Sequence, residues 1–259
     1  MHPMLTIGVR AARRAGDIIS RSMDRLPEIK VETKANNDFV SEVDRKAEAA
    51  IIDTIRQSYR DHAFLAEESG KTGDSDHVWI IDPLDGTTNF LHGFPVFAVS
   101  LALQVKGRTE VGIIYDPMRQ ELFTAERGGG VTLDDKRIRV GKRKELNNSL
   151  IGTGFPFRDA ENLDTYMPML RAMLEQTRGV RRPGAAALDL AYVAAGRLDG
   201  FFEMGLQIWD IAAGALMVQE AGGLVGSLDG GTDHLETGNI LAANPKLFAQ
   251  MARVLKAAR

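Results

Sequence analysis

The sequence WIIDPLDGTTNF, residues 79–90, carries an apolar strand directly into a cluster of charged and turn-forming residues. Pro83 has no N–H to donate and favours extended backbone at Asp82, so the strand is predicted to end with the Asp82 carboxylate at its exposed edge. Asp85 follows in the turn and can point back toward Asp82. Two adjacent carboxylates raise each other's pKa unless a cation lies between them, so the stretch predicts a cation site.

The residues after Asp85 predict an anion site beside that cation. Gly86, Thr87 and Thr88 resemble the start of a helix, where free N–H groups and the helix dipole attract anions. Oxygen ligands without sulfur or nitrogen are typical of a hard metal, Mg²⁺ above all. Because Mg²⁺ commonly bridges protein carboxylates to phosphate, the motif predicts a metal-dependent phosphate site.

Further acidic residues occupy comparable positions elsewhere in the chain. Glu67 and Glu68 follow the apolar run AFLA, Glu203 follows GFF, and Asp210 precedes IAAG. Taken alone, Asp210 is explained by a favourable charge at a helix N-terminus, and Glu67 and Glu68 by a solvated loop. Their repeated placement after strands or at a helix start favours one shared acidic site.

Composition narrows the class of protein. The 259 residues are 44% hydrophobic and 26% charged, which is typical of a globular protein with a sizeable core. The net charge of -3 gives no global field that would attract nucleic acid or a membrane surface. The absence of cysteine excludes disulfides and thiolate metal sites. No signal peptide is expected and no apolar run approaches membrane-spanning length, so we expect a soluble cytoplasmic protein.

Hydrophobic periodicity predicts a mixed α/β chain. Helices are expected at residues 4–23 and 42–59, the second of them capped by Ser41. Short β-rich runs from AFLA at residue 63 to about residue 140 predict an antiparallel meander. The RGGG segment at 127–130 is expected to be a flexible loop within it.

The second half of the chain alternates helices and strands. Beyond Leu150, one of the helices is expected to break or kink near Pro168. The polar segment 141–149 joins the two halves. We predict an N-terminal α+β lobe, 1–145, with the metal and phosphate motif, and a C-terminal α/β lobe, 146–259, with the substrate-side residues, together forming one catalytic unit.

Four segments together resemble the inositol monophosphatase family: AEES, WIIDPLDGTTNF, GAAALDLAYVAAGRLDGFFE, and WDIAAG with EAGG. The resemblance extends over about residues 1–255, and the motifs DPLDGTT and WD are specific as a pair. It implies an α-β-α-β-α sandwich of the sugar-phosphatase type, usually assembled as a homodimer. It also implies hydrolysis of phosphate monoesters such as myo-inositol 1-phosphate, with about two or three Mg²⁺ ions per site and inhibition by Li⁺.

The resemblance also implies roles for individual residues. The metal ligands would be Glu67, Asp82, Asp85, Asp210 and the main-chain carbonyl of Leu84. The catalytic residues would be Glu67, Thr87, which helps to activate the attacking water, and Asp44, which hydrogen-bonds to Thr87. The substrate would be bound by Asp85, Gly86, Thr87, Gly184, Ala185, Ala186, Glu203 and Asp210, with the Gly86 and Thr87 amides on the phosphate. Pro183 departs from the family pattern and is expected to stiffen the substrate loop and alter sugar recognition.

Two sequence segments near these residues allow a further structural interpretation. The sequence SEVD at 41–44 fits a capping box, in which Asp44 serves the start of a helix. That cap is compatible with a catalytic role. Lys34 and Asp38 are expected in a mobile loop over the site.

Other phosphatase classes share part of this pattern. In haloacid-dehalogenase phosphatases, D-x-D-G-T places two aspartates at i and i+2, and the first forms a covalent phospho-aspartate. Here Asp82 and Asp85 stand at i and i+3 with a proline between them. A fructose-1,6-bisphosphatase and a nucleotide 3′-phosphatase are alternatives with the same chemistry. The 5 histidines have no spacing typical of a zinc site.

The basic run DKRIRVGKRK, residues 135–144, allows a function of another class. It is typical of a solvated hairpin edge protected by charge, and an RNA contact is the alternative. The bacterial branch that the chain most resembles is also associated with ribosomal RNA transcription antitermination, through Nus factors and RNA polymerase. The alternative function is therefore a transcription-associated interaction protein with residual phosphatase activity.

Overall fold

The computed structural model describes residues 3–35, 38–156 and 160–259, and side chains outside 33–40 and 157–161. Its helices are α1 (Pro3–Ser22), α2 (Glu42–Ser58), α3 (Thr87–Leu91), α4 (Ala160–Gln176), α5 (Ala186–Ala194), α6 (Ile208–Glu220), α7 (His234–Thr237) and α8 (Pro245–Ala257). Its strands are β1 (Val31–Ala35), β2 (Asp38–Ser41), β3 (Ala63–Ala66), β4 (Gly70–Thr72), β5 (His77–Asp85), β6 (Ala98–Val105), β7 (Arg108–Asp116), β8 (Glu121–Glu126), β9 (Gly130–Leu133), β10 (Lys136–Arg137), β11 (Leu150–Thr153), β12 (Gly179–Arg181), β13 (Gly200–Glu203), β14 (Leu224–Gly226) and β15 (Ile240–Ala243).

Strands β3 to β10 form an eight-stranded sheet in the order β10-β9-β8-β7-β6-β5-β3-β4. From β5 to β10 each strand is antiparallel to the next, which confirms the predicted meander for these strands. Strand β3 was expected in the meander but pairs with β5 in parallel, because the chain first forms the antiparallel edge strand β4 and then returns. Strands β11 to β15 form a mixed sheet in the order β12-β11-β13-β15-β14.

The sheets and helices stack in five layers. Helices α1 and α2 pack on one face of the eight-stranded sheet, where Trp79 and Ile81 of β5 are buried. Ile80 faces the other side, because side chains alternate along a strand, and it packs with α5 and α6 between the two sheets. Helices α4 and α8 cover the outer face of the second sheet. The predicted α-β-α-β-α sandwich is confirmed.

Several local features test the sequence-based expectations. Helix α2 is capped by Ser41, as predicted. Helix α4 is continuous through Pro168, so the expected break is wrong, whereas the alternative of a kink stays a prediction. Pro168 and Asp164, whose carbonyl loses its helical donor, both lie on the exposed side, where the carbonyl is accessible to solvent. Lys34 and Asp38 lie in the paired strands β1 and β2 rather than in a loop, and their side chains lie outside the described residues.

The RGGG segment is a turn held by hydrogen bonds rather than a free loop. The amides of Gly128 and Gly130 donate to the carboxylate of Glu220, over 2.8 and 2.9 Å. The Arg139 guanidinium donates to the Glu220 carbonyl over 3.0 Å. The last residue of α6 therefore fixes this turn against the helix.

The basic run is partly anchored in the fold. Arg137 belongs to the exposed edge strand β10, as the hairpin-edge interpretation predicts, and donates to a carbonyl of the RGGG turn over 2.8 Å. Arg143 forms an ion pair of 3.1 Å with Asp199, which is buried. Within the described part of the chain, three basic side chains of the run have neither a hydrogen bond nor an ion pair: Lys136, Lys142 and Lys144. Among the described helices, none is both long and apolar enough for a membrane span.

Candidate metal and phosphate site

Strand β5 does not end at Asp82, as the sequence predicts, but continues to Asp85. Its pairing with β6 shifts register between these residues, so that Pro83 and Leu84 together oppose Val99 alone. This is a β-bulge, a position where the missing N–H of proline is tolerated. Side chains three residues apart in a regular strand face opposite sides, and the extra residue brings both aspartates to the same side.

Asp82, Asp85 and Asp210 form the centre of the site. One ligand oxygen from each lies within 4.8 Å of the others, although β5 supplies two of them and the first turn of α6 the third. Backbone amides hold the three carboxylates: Leu84 N donates to Asp82 Oδ1 over 2.9 Å, Ala187 N to Asp85 Oδ2 over 2.7 Å, and Gln207 N to Asp210 Oδ2 over 2.7 Å. Backbone amides from both halves of the chain therefore fix the positions of the three carboxylates.

Burial and mutual repulsion raise the pKa values of this group. Burial, and next the charge of Glu67, raise the pKa of Asp82 well above its usual value. The pKa of Asp85 is raised by burial and then by the charge of Asp210. Glu67 follows β3, lies outside the tight group of three, and shares a hydrogen bond with Asp82. A cation removes this repulsion, so the oxygen-only cluster fits a divalent metal such as Mg²⁺.

Helix α3 begins directly after the bulged strand, with Gly86 as its N-cap at a φ of 94°. The Thr87 hydroxyl lies 3.1 Å from both Asp44 Oδ1 and the Leu84 carbonyl, and donates to one of them. Asp44 also accepts a hydrogen bond from the Ser41 amide over 2.8 Å, which completes the predicted capping box. One buried carboxylate thus caps α2 and contacts Thr87.

The opposite wall comes from the loop before α5. Gly184 has a φ of 93°, in the region that favours glycine. The Asn89 amide donates to the Pro183 carbonyl over 2.8 Å and lies 3.3 Å from the Gly184 carbonyl. Asn89 also contacts the Val96 carbonyl over 2.8 Å. The loop before α5 is therefore fastened to α3.

These elements enclose a cleft of about 400 Å³. Every site residue predicted from the sequence lines it except Asp44, which lies behind Thr87. Glu68 lies outside the cleft, and its amide donates to Glu48 over 2.8 Å. Among the described residues, one guanidinium lines the cleft, that of Arg182, against six carboxylates: Glu67, Asp82, Asp85, Asp189, Glu203 and Asp210.

Among the lining residues that the sequence analysis missed, two are polar side chains with informative surroundings. Asn89 stands inside the quoted motif, but its contacts with the loop before α5 depend on tertiary structure. Asp189 lies in α5, whose sequence AALDLAYVA is otherwise apolar or aromatic. A carboxylate inside an apolar helical segment was a signal available in the sequence.

The fold and the site define a phosphatase of the layered α/β type with an acidic, oxygen-only centre. The chain belongs to the inositol monophosphatase family, whose model matches residues 1–259. It is 53% identical over 262 residues to the Nus factor SuhB of Pseudomonas aeruginosa, covering 99% of this chain and 97% of the relative.

Solved structures agree with this membership. The extragenic suppressor protein suhB of Bartonella henselae matches with a TM-score of 0.96 and 46% identity over 99% of both chains. The SaIMPase-II structure with bound inositol monophosphate matches with a TM-score of 0.81 and 26% identity, over 98% of this chain and 94% of the other. SaIMPase-II has also been solved with bound 2′AMP.

Proposed function

We propose that this phosphatase hydrolyses inositol monophosphate in a Mg²⁺-dependent reaction that yields myo-inositol and phosphate. The observation that carries the proposal is the group of three aspartates, with oxygens within 4.8 Å, beside the start of α3. A dianionic phosphate monoester would be repelled by six carboxylates unless cations entered with it. The SaIMPase-II structure that holds inositol monophosphate supports the choice of substrate.

The donor set fits Mg²⁺ better than softer metals, because it contains only oxygen. The ligands for about two or three ions would be Glu67, Asp82, Asp85, Asp210 and the Leu84 carbonyl. When bound, Mg²⁺ supplies charge neutralisation of the phosphate and a lowered pKa for a water molecule.

The side chains of the cleft position the reactants. Thr87 donates its hydroxyl proton to Asp44 and so presents a lone pair that accepts a proton from the attacking water. Glu67 orients the same water from the other side. The amides of Gly86 and Thr87 donate to phosphate oxygens. Glu203 and the loop at 184–186 bind the hydroxyls of the alcohol together with Asp85 and Asp210, and no covalent enzyme intermediate is required.

The proposal is tested by phosphate release from inositol 1-phosphate with and without Mg²⁺. Asp82→Asn should be inactive. Glu68→Gln is a matched control, because Glu68 is also acidic and follows β3 but lies outside the cleft, and it should keep normal turnover. Absence of Mg²⁺-dependent turnover in the unmodified protein would contradict the proposal. Trapping of a phospho-aspartate at Asp82 would contradict attack by water.

A substrate panel distinguishes the related phosphatases. Fructose 1,6-bisphosphate, a nucleotide 3′-phosphate, 2′AMP and inositol 1-phosphate should be ranked by kcat/KM. The proposal expects inositol 1-phosphate to rank first. A higher rank for either of the first two would assign the chain to the corresponding alternative.

A second function is favoured by the name Nus factor SuhB, which belongs to a relative 53% identical to this chain. We propose a role in ribosomal RNA transcription antitermination through Nus factors, RNA polymerase or RNA, with the free lysines at 136, 142 and 144 as the contact surface. We further propose a cytoplasmic homodimer whose lobes, 1–145 and 146–259, act as one unit. The hydrogen bond from Ala187 to Asp85 supports that unit, because it crosses the boundary over 2.7 Å.

A further inference from the structure

Helix α5 contains a buried carboxylate that the proposed reaction does not use. Asp189 is 1% exposed and lies between the buried Leu188 and Leu190. Its Oδ1 has no hydrogen-bond partner among the described residues. An ionisable group is rarely buried without a partner, because its hydration is lost and not replaced. Asp189 also lines the cleft, so a small shift of its side chain would bring the unpartnered carboxylate to a ligand there.

Two glycines make room for this carboxylate and for Glu203. A Cβ on Gly152 would lie 3.1 Å from Asp189 Oδ1, and a Cβ on Gly154 would overlap with the Glu203 carboxylate. The intervening Thr153 packs the other way, with its hydroxyl 2.8 Å from that of Tyr166. Because residues two apart along an extended backbone face the same side, the two acids lie on the same side of this segment, next to each other.

We propose that Asp189 is a specificity-determining residue that hydrogen-bonds a hydroxyl of the alcohol part of the substrate, next to a hydroxyl bound by Glu203. This inference rests on the proposed function and assigns to Asp189 a part in recognising the ring hydroxyls of that substrate. A polyol ring carries several hydroxyls a few ångströms apart, each able to donate and accept, so one ring can engage both acids.

Burial, and next the charge of Glu203, raise the pKa of Asp189 well above its usual value. This does not prevent the contact, because a protonated carboxyl donates to a hydroxyl and an ionised one accepts from it.

The test compares two esters and two variants. Inositol 1-phosphate has ring hydroxyls, and phenyl phosphate has none. Asp189→Leu keeps the branching at Cγ but removes the hydrogen bonds of the side chain, and Asp189→Asn keeps both. For Asp189→Leu, kcat/KM for inositol 1-phosphate should fall about tenfold, mainly through KM, while that for phenyl phosphate stays unchanged. Asp189→Asn should retain most of the preference of the unmodified protein for inositol 1-phosphate over phenyl phosphate, measured as the ratio of the two kcat/KM values.

Thermal stability separates this role from a structural one. Asp189→Leu should hold or raise Tm, because an unpartnered buried carboxylate is replaced by an apolar group. Asp199→Asn is the matched control: Asp199 is also buried, but it accepts hydrogen bonds from Arg143 and the Leu150 amide. That variant should lower Tm and leave the ratio between the esters unchanged.

Equal losses on both esters in Asp189→Leu, together with a lower Tm, would overturn the inference. If that variant does not fold, monodeoxy inositol phosphates give the same test on the unmodified protein. At least two hydroxyl deletions should each lower kcat/KM about tenfold, one for each acid, and sensitivity to a single hydroxyl would overturn the inference. A protein that hydrolyses neither ester contradicts the proposed function instead.

Discussion

Asp82 and Asp210 reach the centre of the cleft from different elements, and each supplies anionic oxygen to it. Asp82→Asn and Asp210→Asn should each lower turnover of inositol 1-phosphate by more than about 100-fold, since even changes behind a metal ligand cost 10–100-fold. Circular dichroism should show an unchanged fold. Near-normal turnover of either variant at saturating Mg²⁺ would refute the assignment.

Thr87 is predicted to act on the water rather than on the metal. Thr87→Ala should lower kcat by a factor on the order of 10² to 10⁴, typical of lost general acid–base assistance. The apparent Mg²⁺ affinity, measured from the Mg²⁺ dependence of turnover, should change much less. Thr87→Ser is the control, because it keeps the hydroxyl that contacts Asp44. If saturating Mg²⁺ restores the kcat of Thr87→Ala, the residue belongs to the metal shell.

Single residues differ in how far the sequence predicts them. Asp44 was predictable as a cap from the SEVD pattern, and its contact with Thr87 agrees with the role that the family resemblance implies. Asp189 was not predicted, because an isolated acid in an apolar run does not reveal which cavity it faces. Asn89 was missed for a related reason: its two partners in the loop before α5 lie 94 and 95 residues away in the chain.

Strand β5 shows which features of an element the local sequence does not predict. Pro83 correctly indicates an interruption, yet the strand continues to Asp85 through a bulge. The register of the bulge is set by pairing with β6, which no local pattern contains. The same limit applies to β3, whose parallel pairing with β5 depends on the return of the chain through β4. The antiparallel order of β5 to β10 was predictable from the spacing of the runs, whereas the bulge in β5 and the parallel pairing of β3 were not.

The basic run, residues 135–144, contains some charged side chains that contact the rest of the fold and others that do not. Replacing only the second kind tests the charge of the run without changing its structural contacts. Replacing Lys136, Lys142 and Lys144 with alanine should leave kcat/KM for a small phosphate ester unchanged, because these side chains lie outside the cleft. If the run binds RNA, the affinity should fall and the negative slope of log K against log salt should become shallower, by about 0.7 for each phosphate of a single strand that is no longer neutralised. An unchanged slope would leave only the hairpin-edge interpretation.

Arg143 belongs to the same run but should behave differently. Arg143→Ala removes an ion pair of 3.1 Å from the buried Asp199 and should lower the free energy of unfolding by about 1–3 kcal/mol. Chemical denaturation measures this difference. Replacing Arg137, Arg139 and Arg143 together with the lysines would therefore confuse weaker RNA binding with lower stability. A stability equal to that of the triple lysine variant would contradict the anchoring role.

For the whole molecule, the layer order followed from the family resemblance, while periodicity alone gave no more than a mixed α/β chain. Periodicity could not place α5 and α6 between two sheets, because both helices are apolar on most sides and face two partners at once. This central layer joins the halves: it brings Asp210 to the two aspartates of β5 and the Ala187 amide to Asp85. The stability of the whole chain should therefore respond to the charge state of the cluster.

The acidic cluster couples folding to pH and Mg²⁺. The pKa of Asp82 lies well above its usual value of 3.8 in the folded protein, so the folded state binds more protons than the unfolded state between those two values. In metal-free protein its contribution to stability therefore falls as pH rises through that window. His62 acts in the opposite direction: its pKa is lowered by burial, so its contribution is lost as pH falls below 6.5.

Comparing Asp82→Asn with the unmodified protein at each pH cancels the histidine contribution, because His62 is present in both. In EDTA, the variant should have a higher Tm at pH 8, and the difference should shrink toward pH 4, where Asp82 is protonated. Saturating Mg²⁺ should reverse the order at pH 8, since a ligand at 100 times its Kd stabilises the folded protein by about 2.7 kcal/mol and the variant binds less of it. A Tm difference that is independent of both pH and Mg²⁺ would show that Asp82 carries no repelling charge in the folded protein.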